Sequence, residues 1–164
     1  VLDEFVDGNV NENISSCENA IEKELTDINY HVIHNKFVAN FDDTKTFDVL
    51  TGTEESDSDA VIEQSIQKVI RKTKADILIV GEANVVLLSE EPIHETKWGS
   101  IYSARASGLF KAIEVKTGKV LFTINEMQSG ADVSTAAAYE KALSNLGQQA
   151  GRKIVEKMLM GEDE

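Results

Sequence analysis

The strongest constraint on this chain is the run Ile77-Leu78-Ile79-Val80, set between Ala75-Asp76 and Gly81-Glu82. Four successive aliphatic residues put apolar side chains on both faces of a strand, so this strand belongs in the middle of a sheet. It opens a stretch, residues 75 to 129, that reads as three successive antiparallel strands: Asp76 to about Leu88, Ser100 to Val115, and Lys119 to Gln128. In the second strand Ile101, Leu109, Ile113 and Val115 share one parity, and Tyr102, Ala104, Ala106, Phe110 and Ala112 share the other. Small residues at Ala104, Ala106 and Gly108 leave room for a helix to come close. In the third, Val120, Phe122 and Ile124 point one way and Thr123 and Asn125 the other. The connection Glu114 to Lys119 holds Gly118, available for a positive φ. Ser129-Gly130-Ala131-Asp132 reads as the exit turn.

The flanking segments supply cover for this sheet. Val1 to Val6 alternates and reads as a first strand, followed by a polar loop, Asp7 to Asn13. Ser15 and Glu18 fit a capping box, with a helix to about Thr26 whose apolar face is Ile14, Cys17, Ile21 and Leu25. Tyr30 to Ile33 reads as a short strand. Residues 35–52 follow no clean period. Thr53 to Asp59 is an acidic, solvated run leading into a helix from about Asp59 to Thr73, with Ile62, Ile66, Val69 and Ile70 as its stripe. Ser89 to Gly99 is a loop that holds Pro92 and Trp98, the chain's single proline and tryptophan. A long final helix, Thr135 to Met160, is capped by Ser134 and striped by Tyr139, Leu143, Leu146, Ala150, Ile154 and Met158. Gly147 and Gly151 weaken that helix unless they permit tight packing. The acidic tail, residues 161–164, frays. The order predicts one domain over 1–164, of α/β (α+β) class: a mixed sheet with three C-terminal antiparallel strands packed by helices.

Charge narrows the partners. With 29 acidic and 16 basic residues the formal charge is -13, and no basic patch offsets it, which excludes nucleic acid as the natural ligand. The one cysteine, Cys17, rules out an internal disulfide. No apolar run reaches the roughly 20 residues of a membrane-spanning helix. The chain opens on Val1, and a signal or anchor upstream is expected to have been removed.

No arrangement of residues points to catalysis. Cys17 lies in a helix's first turn but on its apolar stripe, as a core thiol does. His31 and His34, three apart in a strand, face opposite ways, and His94 is distant. No phosphate-binding glycine loop or nucleophile elbow is present. The chain is therefore expected to be a non-enzyme without a cofactor or metal. Asp7, Asn9, Asn11 and Glu18 occupy the first, third, fifth and twelfth places of a calcium-loop spacing, although Glu12 stands where a glycine is needed. A calcium or small-ligand module over residues 7–18 is thus the alternative reading. For a protein partner, Trp98 is the natural anchor, with His94 in the same loop.

The central pattern, with Ser103 to Ile113, Thr117 to Leu121, Gly130-Ala131-Asp132 and the Ala136 to Leu143 helix, resembles a group of bacterial envelope proteins. These are the curli secretion-channel lipoprotein, the flagellar assembly protein T and the lipoprotein activators of penicillin-binding proteins. The resemblance implies an α/β domain of the anticodon-binding-like type. It also implies a non-enzymatic role: binding other envelope proteins to assist assembly of a surface structure, flagellar, curli-like or cell-wall. The expected location is periplasmic or outer-membrane-anchored, with a possible lipid anchor upstream. No long amphipathic hairpins of the secretion channel are present, so a pore is not expected.

Overall fold

The computed structural model describes residues 2–10, 15–32, 75–89, 92, 94–96 and 99–160. They form β1 (Leu2–Val6), β2 (Asn9–Val10), α1 (Ser16–Asp27), β3 (Ile77–Leu87), β4 (His94–Thr96), β5 (Gly99–Glu114), β6 (Val120–Asp132) and α2 (Thr135–Met160). The irregular 35–58 segment, the helix expected from Asp59 to Thr73 and the acidic tail lie outside the described residues.

The strands make one mixed sheet in the order β2-β1-β3-β5, with β4 and β6 also paired to β5. β1 runs parallel to β3, and every other pair is antiparallel. β3 is therefore interior, flanked by β1 and β5, as its two-sided apolar run requires. The three long strands β3, β5 and β6 follow one another antiparallel, as expected, and both helices contribute to the core on one side of them. This is an α+β fold.

Register explains the two faces. Opposite Ile79, Gly81, Ala83 and Val85 stand Ala112, Phe110, Gly108 and Ala106, and beyond these Phe122, Ile124, Glu126 and Gln128. This parity faces the helices and carries the core: Ala83, Val85, Ala104, Ala106, Phe110 and Ile124, closed by Cys17, Ile21 and Leu25 of α1 and by Ala142, Leu143, Leu146, Ala150 and Ile154 of α2. On the opposite, distal face the start of β3 is buried too, through Leu78 and Val80 with Ile113 and Val115.

α2 is about 39 Å long at 1.5 Å per residue, enough to cross the sheet. Its start is capped as expected: the Ser134 hydroxyl accepts from the Ala137 N–H at 3.2 Å. Two glycines let it settle. A Cβ on Gly130 would stand 2.4 Å from the Ala142 backbone nitrogen, and one on Gly147 would stand 2.3 Å from the Cys17 carbonyl oxygen. The first lets β6 lie directly under α2. The second lets α1 touch α2, where the two helices run in the same sense and Glu24 meets Arg152 at 3.4 Å.

Several expectations change. Ser129 to Asp132 is strand, not turn, because it pairs with Arg105 to Tyr102 and Gly130 serves helix approach rather than chain reversal. A register shift between Ala112 and Ile113 sets Val120 opposite Ile113, so Val120 leaves the face of Phe122 and Ile124 and is 46% exposed. The Asp7 to Asn13 loop begins as a tight hairpin: Asp7 and Gly8 both have positive φ, 49° and 79°, and join β1 to β2. Of the strand expected over Tyr30 to Ile33, the described residues 30–32 form none. Instead Asn29, at φ 65°, ends α1. The loop Ser89 to Gly99 contains β4, whose Thr96 pairs with Gly99. Gly118 does take a positive φ, 73°, in the β5–β6 turn.

Gly130→Val should therefore be worse than an ordinary surface change. A loss of about 1–3 kcal/mol is expected in urea denaturation, with Gly147→Val comparable, since the obstructing atoms are backbone.

Candidate interaction surface

The N-terminus of α1 is held by a residue 13 positions earlier in the chain. Ser15 occupies the N-cap position but makes no side-chain cap bond, so the capping box with Glu18 does not form. Its place is taken by Glu4, on the helix-facing side of β1 and only 4% exposed. Glu4 Oε1 accepts from the Cys17 N–H at 2.9 Å and the Glu18 N–H at 3.0 Å. A carboxylate there meets both the unpaired amides and the positive end of the helix dipole. Burial pushes its pKa up from the ordinary 4.5, opposed by those backbone hydrogen bonds. Oε2 is buried and accepts no hydrogen bond.

Cys17, beside it, is fully buried, and burial with the nearby Glu4 charge pushes its thiol pKa up. Such a thiol is a core residue and no nucleophile. The hairpin turn is tied to α2 by the Tyr139 hydroxyl, which donates to Asp7 Oδ2 at 2.6 Å; burial and that carboxylate push the tyrosine up to about 12. Of residues 7–18, the described ones form a turn, β2 and the first residues of α1, and residues 11–14, with Asn11, lie outside the described residues. Among the described residues no group of three or more His, Cys, Asp or Glu is placed to hold a metal ion.

Two surfaces stand out among the described residues. One is a polar groove of about 600 Å³ between α1 and the first half of α2, with Lys23, Glu24, Asp132, Glu140 and Lys141 on its walls. Its charges offset one another, and Lys141 is already held by the Ala131 carbonyl at 3.1 Å and by Asp132 at 3.7 Å. The other is the distal face of the sheet past Glu82. One row across it reads Phe5, Asn84, Ser107, Met127, and the next Val86, Arg105, Ser129. Val86 is 41% exposed, Leu88 45% and Met127 56%. Aliphatic and uncharged polar side chains alternate there about 4.8 Å apart, with Arg105 the one cation in these two rows. A flat face of this kind can bind a protein surface but gives a small substrate no enclosure.

Of the residues expected to bind a partner, His94 lies in β4 opposite Ile101, and Trp98 is outside the described residues. Sequence parity did place Leu109, Thr123 and Asn125 on this face. It did not find Val86 and Met127, because exposure of an aliphatic residue leaves no mark in the sequence.

Residues 1–155 match the family model for the TP0693-like lipoprotein, C-terminal domain. The chain belongs to that family. The TP0693-like domain is thus a unit of a bacterial lipoprotein, which gives it a cell-envelope location; among the described residues no helix is long and apolar enough to cross a membrane. Solved structures similar to it include lipoprotein GNA1162 from Neisseria meningitidis, at 14% identity over 98% of this chain and 94% of that one, TM-score 0.39. Another is a minor lipoprotein from Acinetobacter baumannii, at 10% identity over 96% and 91%, TM-score 0.36. A third is the hypothetical protein CT253 from Chlamydia trachomatis, at 9% over 96% and 92%, TM-score 0.42. No curated protein matches the chain.

Glu4→Ala should cost about 2–3 kcal/mol, because it strands two amide donors at a buried helix end. The pH response has two opposed parts. Glu126 is held below the usual carboxylate range, first by its hydrogen bond with Lys153, so its stabilising contribution is present above about 4.5 and lost as pH falls through its lowered pKa. Glu4, raised, behaves oppositely: its contribution is present below 4.5 and lost as pH rises through its raised pKa. In denaturation midpoints measured from pH 2 to 8, Lys153→Met should flatten the acid limb, and Glu4→Gln should remove the decline above it. Cys17 should react with a disulfide reagent only as fast as the domain unfolds.

Proposed function

We propose that this domain is a non-enzymatic protein-binding module of a bacterial envelope lipoprotein, assisting assembly of a surface structure of flagellar, curli-like or cell-wall type. Membership of the TP0693-like lipoprotein family carries the reading, since it sets the compartment in which partners must be sought. The distal face supports it physically: it is broad, weakly charged against the -13 of the whole chain, and aliphatic at Val86, Leu88 and Met127. The proposed partners are other envelope proteins and not nucleic acid. The proposed site is the distal face, with the 89–99 loop that carries His94 and Trp98 beside it in sequence.

The test uses the full-length lipoprotein in its own cells. A photo-crosslinking side chain at position 86 or 127 should yield one dominant adduct with another envelope protein, and the same group at position 23 in the helix groove should not. Val86→Glu with Met127→Glu should abolish the assembly phenotype while leaving the unfolding free energy within about 1 kcal/mol of wild type. Turnover on a broad substrate panel, abolished by one polar substitution, would contradict the proposal.

A further inference from the structure

Four apolar side chains are buried on the distal face, where among the described residues no helix or strand covers them. Leu78, Val80, Ile113 and Val115 are 8%, 1%, 2% and 2% exposed. Leu78 pairs with Ile113, so the group lies together at the start of β3. None of the four belongs to the core that α1 and α2 close on the opposite face. Burial this complete needs a second layer on this side of the sheet.

The burial has an outline. Along β3 it ends after Val80: Glu82 is half-buried and Asn84 is exposed. Across the sheet it ends at β5, where Leu109 and Lys111 are half-buried while their β6 partners, Asn125 and Thr123, are exposed. The footprint is two strands wide, about 10 Å, and runs about 20 Å from Ile77 to Glu82. One α-helix has that width.

Connectivity narrows the occupant. Among the residues outside the described ones, those between 90 and 98 attach past Leu87, about 30 Å along the strand from Leu78. Residues 11–14 lead from β2 into α1, and residues 161–164 are Gly-Glu-Asp-Glu, with no apolar side chain to offer. Residues 33–74 return to the sheet immediately before Ile77, at the edge of the footprint.

We propose that the segment Asp59 to Thr73 docks here as a helix, laying Ile62, Ile66, Val69 and Ile70 on Leu78, Val80, Ile113 and Val115. At 1.5 Å per residue it is about 22 Å long, which matches the footprint. Lys74, Ala75 and Asp76 allow only a short reversal before β3, so the helix runs back along β3 itself. The other face is closed to it, because Ile79 there packs against the core of α1 and α2. The cover stops where the exposed patch of Val86, Leu88 and Met127 begins, which accounts for the division of the distal face at Glu82.

A nitroxide on Arg71→Cys, opposite the apolar stripe, tests this by methyl NMR of the whole domain; Cys17 is fully buried and stays unlabelled. The methyl signals of Leu78, Ile113 and Val115 should lose more than half their intensity. Those of Leu88 and Val133, at the far ends of their strands, should keep theirs. Equal intensities in the two groups overturn the proposal. Broadening that persists when the nitroxide and the isotope label are on different copies also overturns it, and makes a second copy the occupant. Should the variant fail to fold, the wild type decides. Methyl NOEs should join Ile66 or Ile70 to Leu78 or Ile113; their absence, or NOEs from Phe37, Phe41 or Phe47 in their place, overturns the proposal.

Discussion

The Glu4 carboxylate joins the two ends of this architecture. It leaves a strand, reaches the first amides of α1, and thereby fixes where that helix begins and how it meets the sheet. The contact is a compromise. Burial opposes the charge, two amides and the helix dipole favour it, and one oxygen remains without a partner. Because α1 sits against α2 at Gly147, and α2 sits against β6 at Gly130, the position of Glu4 is transmitted to the entire helical layer.

The helical layer in turn divides the sheet into unequal parts. One face is wholly given to packing. The other is buried at Leu78, Val80, Ile113 and Val115, and open beyond Glu82. The long α2 also lends Lys141 and Asn145 to the rim of β6, so that a helix chosen for its apolar stripe also governs which backbone groups remain available. Side chains that look merely solvated in a helical wheel thus have a definite task at the sheet edge.

What could be read beforehand was whatever depends on period. The aliphatic run at Ile77 to Val80, the parity of Tyr102 to Ala112 and the stripe from Tyr139 to Met158 set the strands, the faces and α2. Ser134 followed from local cap chemistry. The failures share a cause: long-range geometry overrode a valid local signal. Ser15 and Glu18 have the spacing of a capping box, yet a residue from β1 occupies the helix end. Gly130 has the chemistry of a turn, yet it lies under a helix. Tyr30 to Val32 has strand propensity, yet it follows directly on the end of α1 and pairs with no described strand. The Asp7-Gly8 hairpin is different, since its dipeptide is a sufficient local signal within what reads only as a longer polar loop. As to the site, the odd-parity residues outlined the distal face, but its aliphatic exposure at Val86 and Met127 depends on what does not cover it.

The parallel pairing of β1 with β3 has a consequence for the order of events in folding. Leu2 lies beside Gly81 and Val6 beside Val85, so about 80 residues of chain intervene before the first strand acquires its inner neighbour. The antiparallel unit from β5 through α2 closes instead on short connections, at a lower cost in loop entropy. Contact order thus favours the N-terminal hairpin and α1 joining late, onto strands already paired. A chain cut after α1 has a complete first helix in its sequence and no surface on which to keep it.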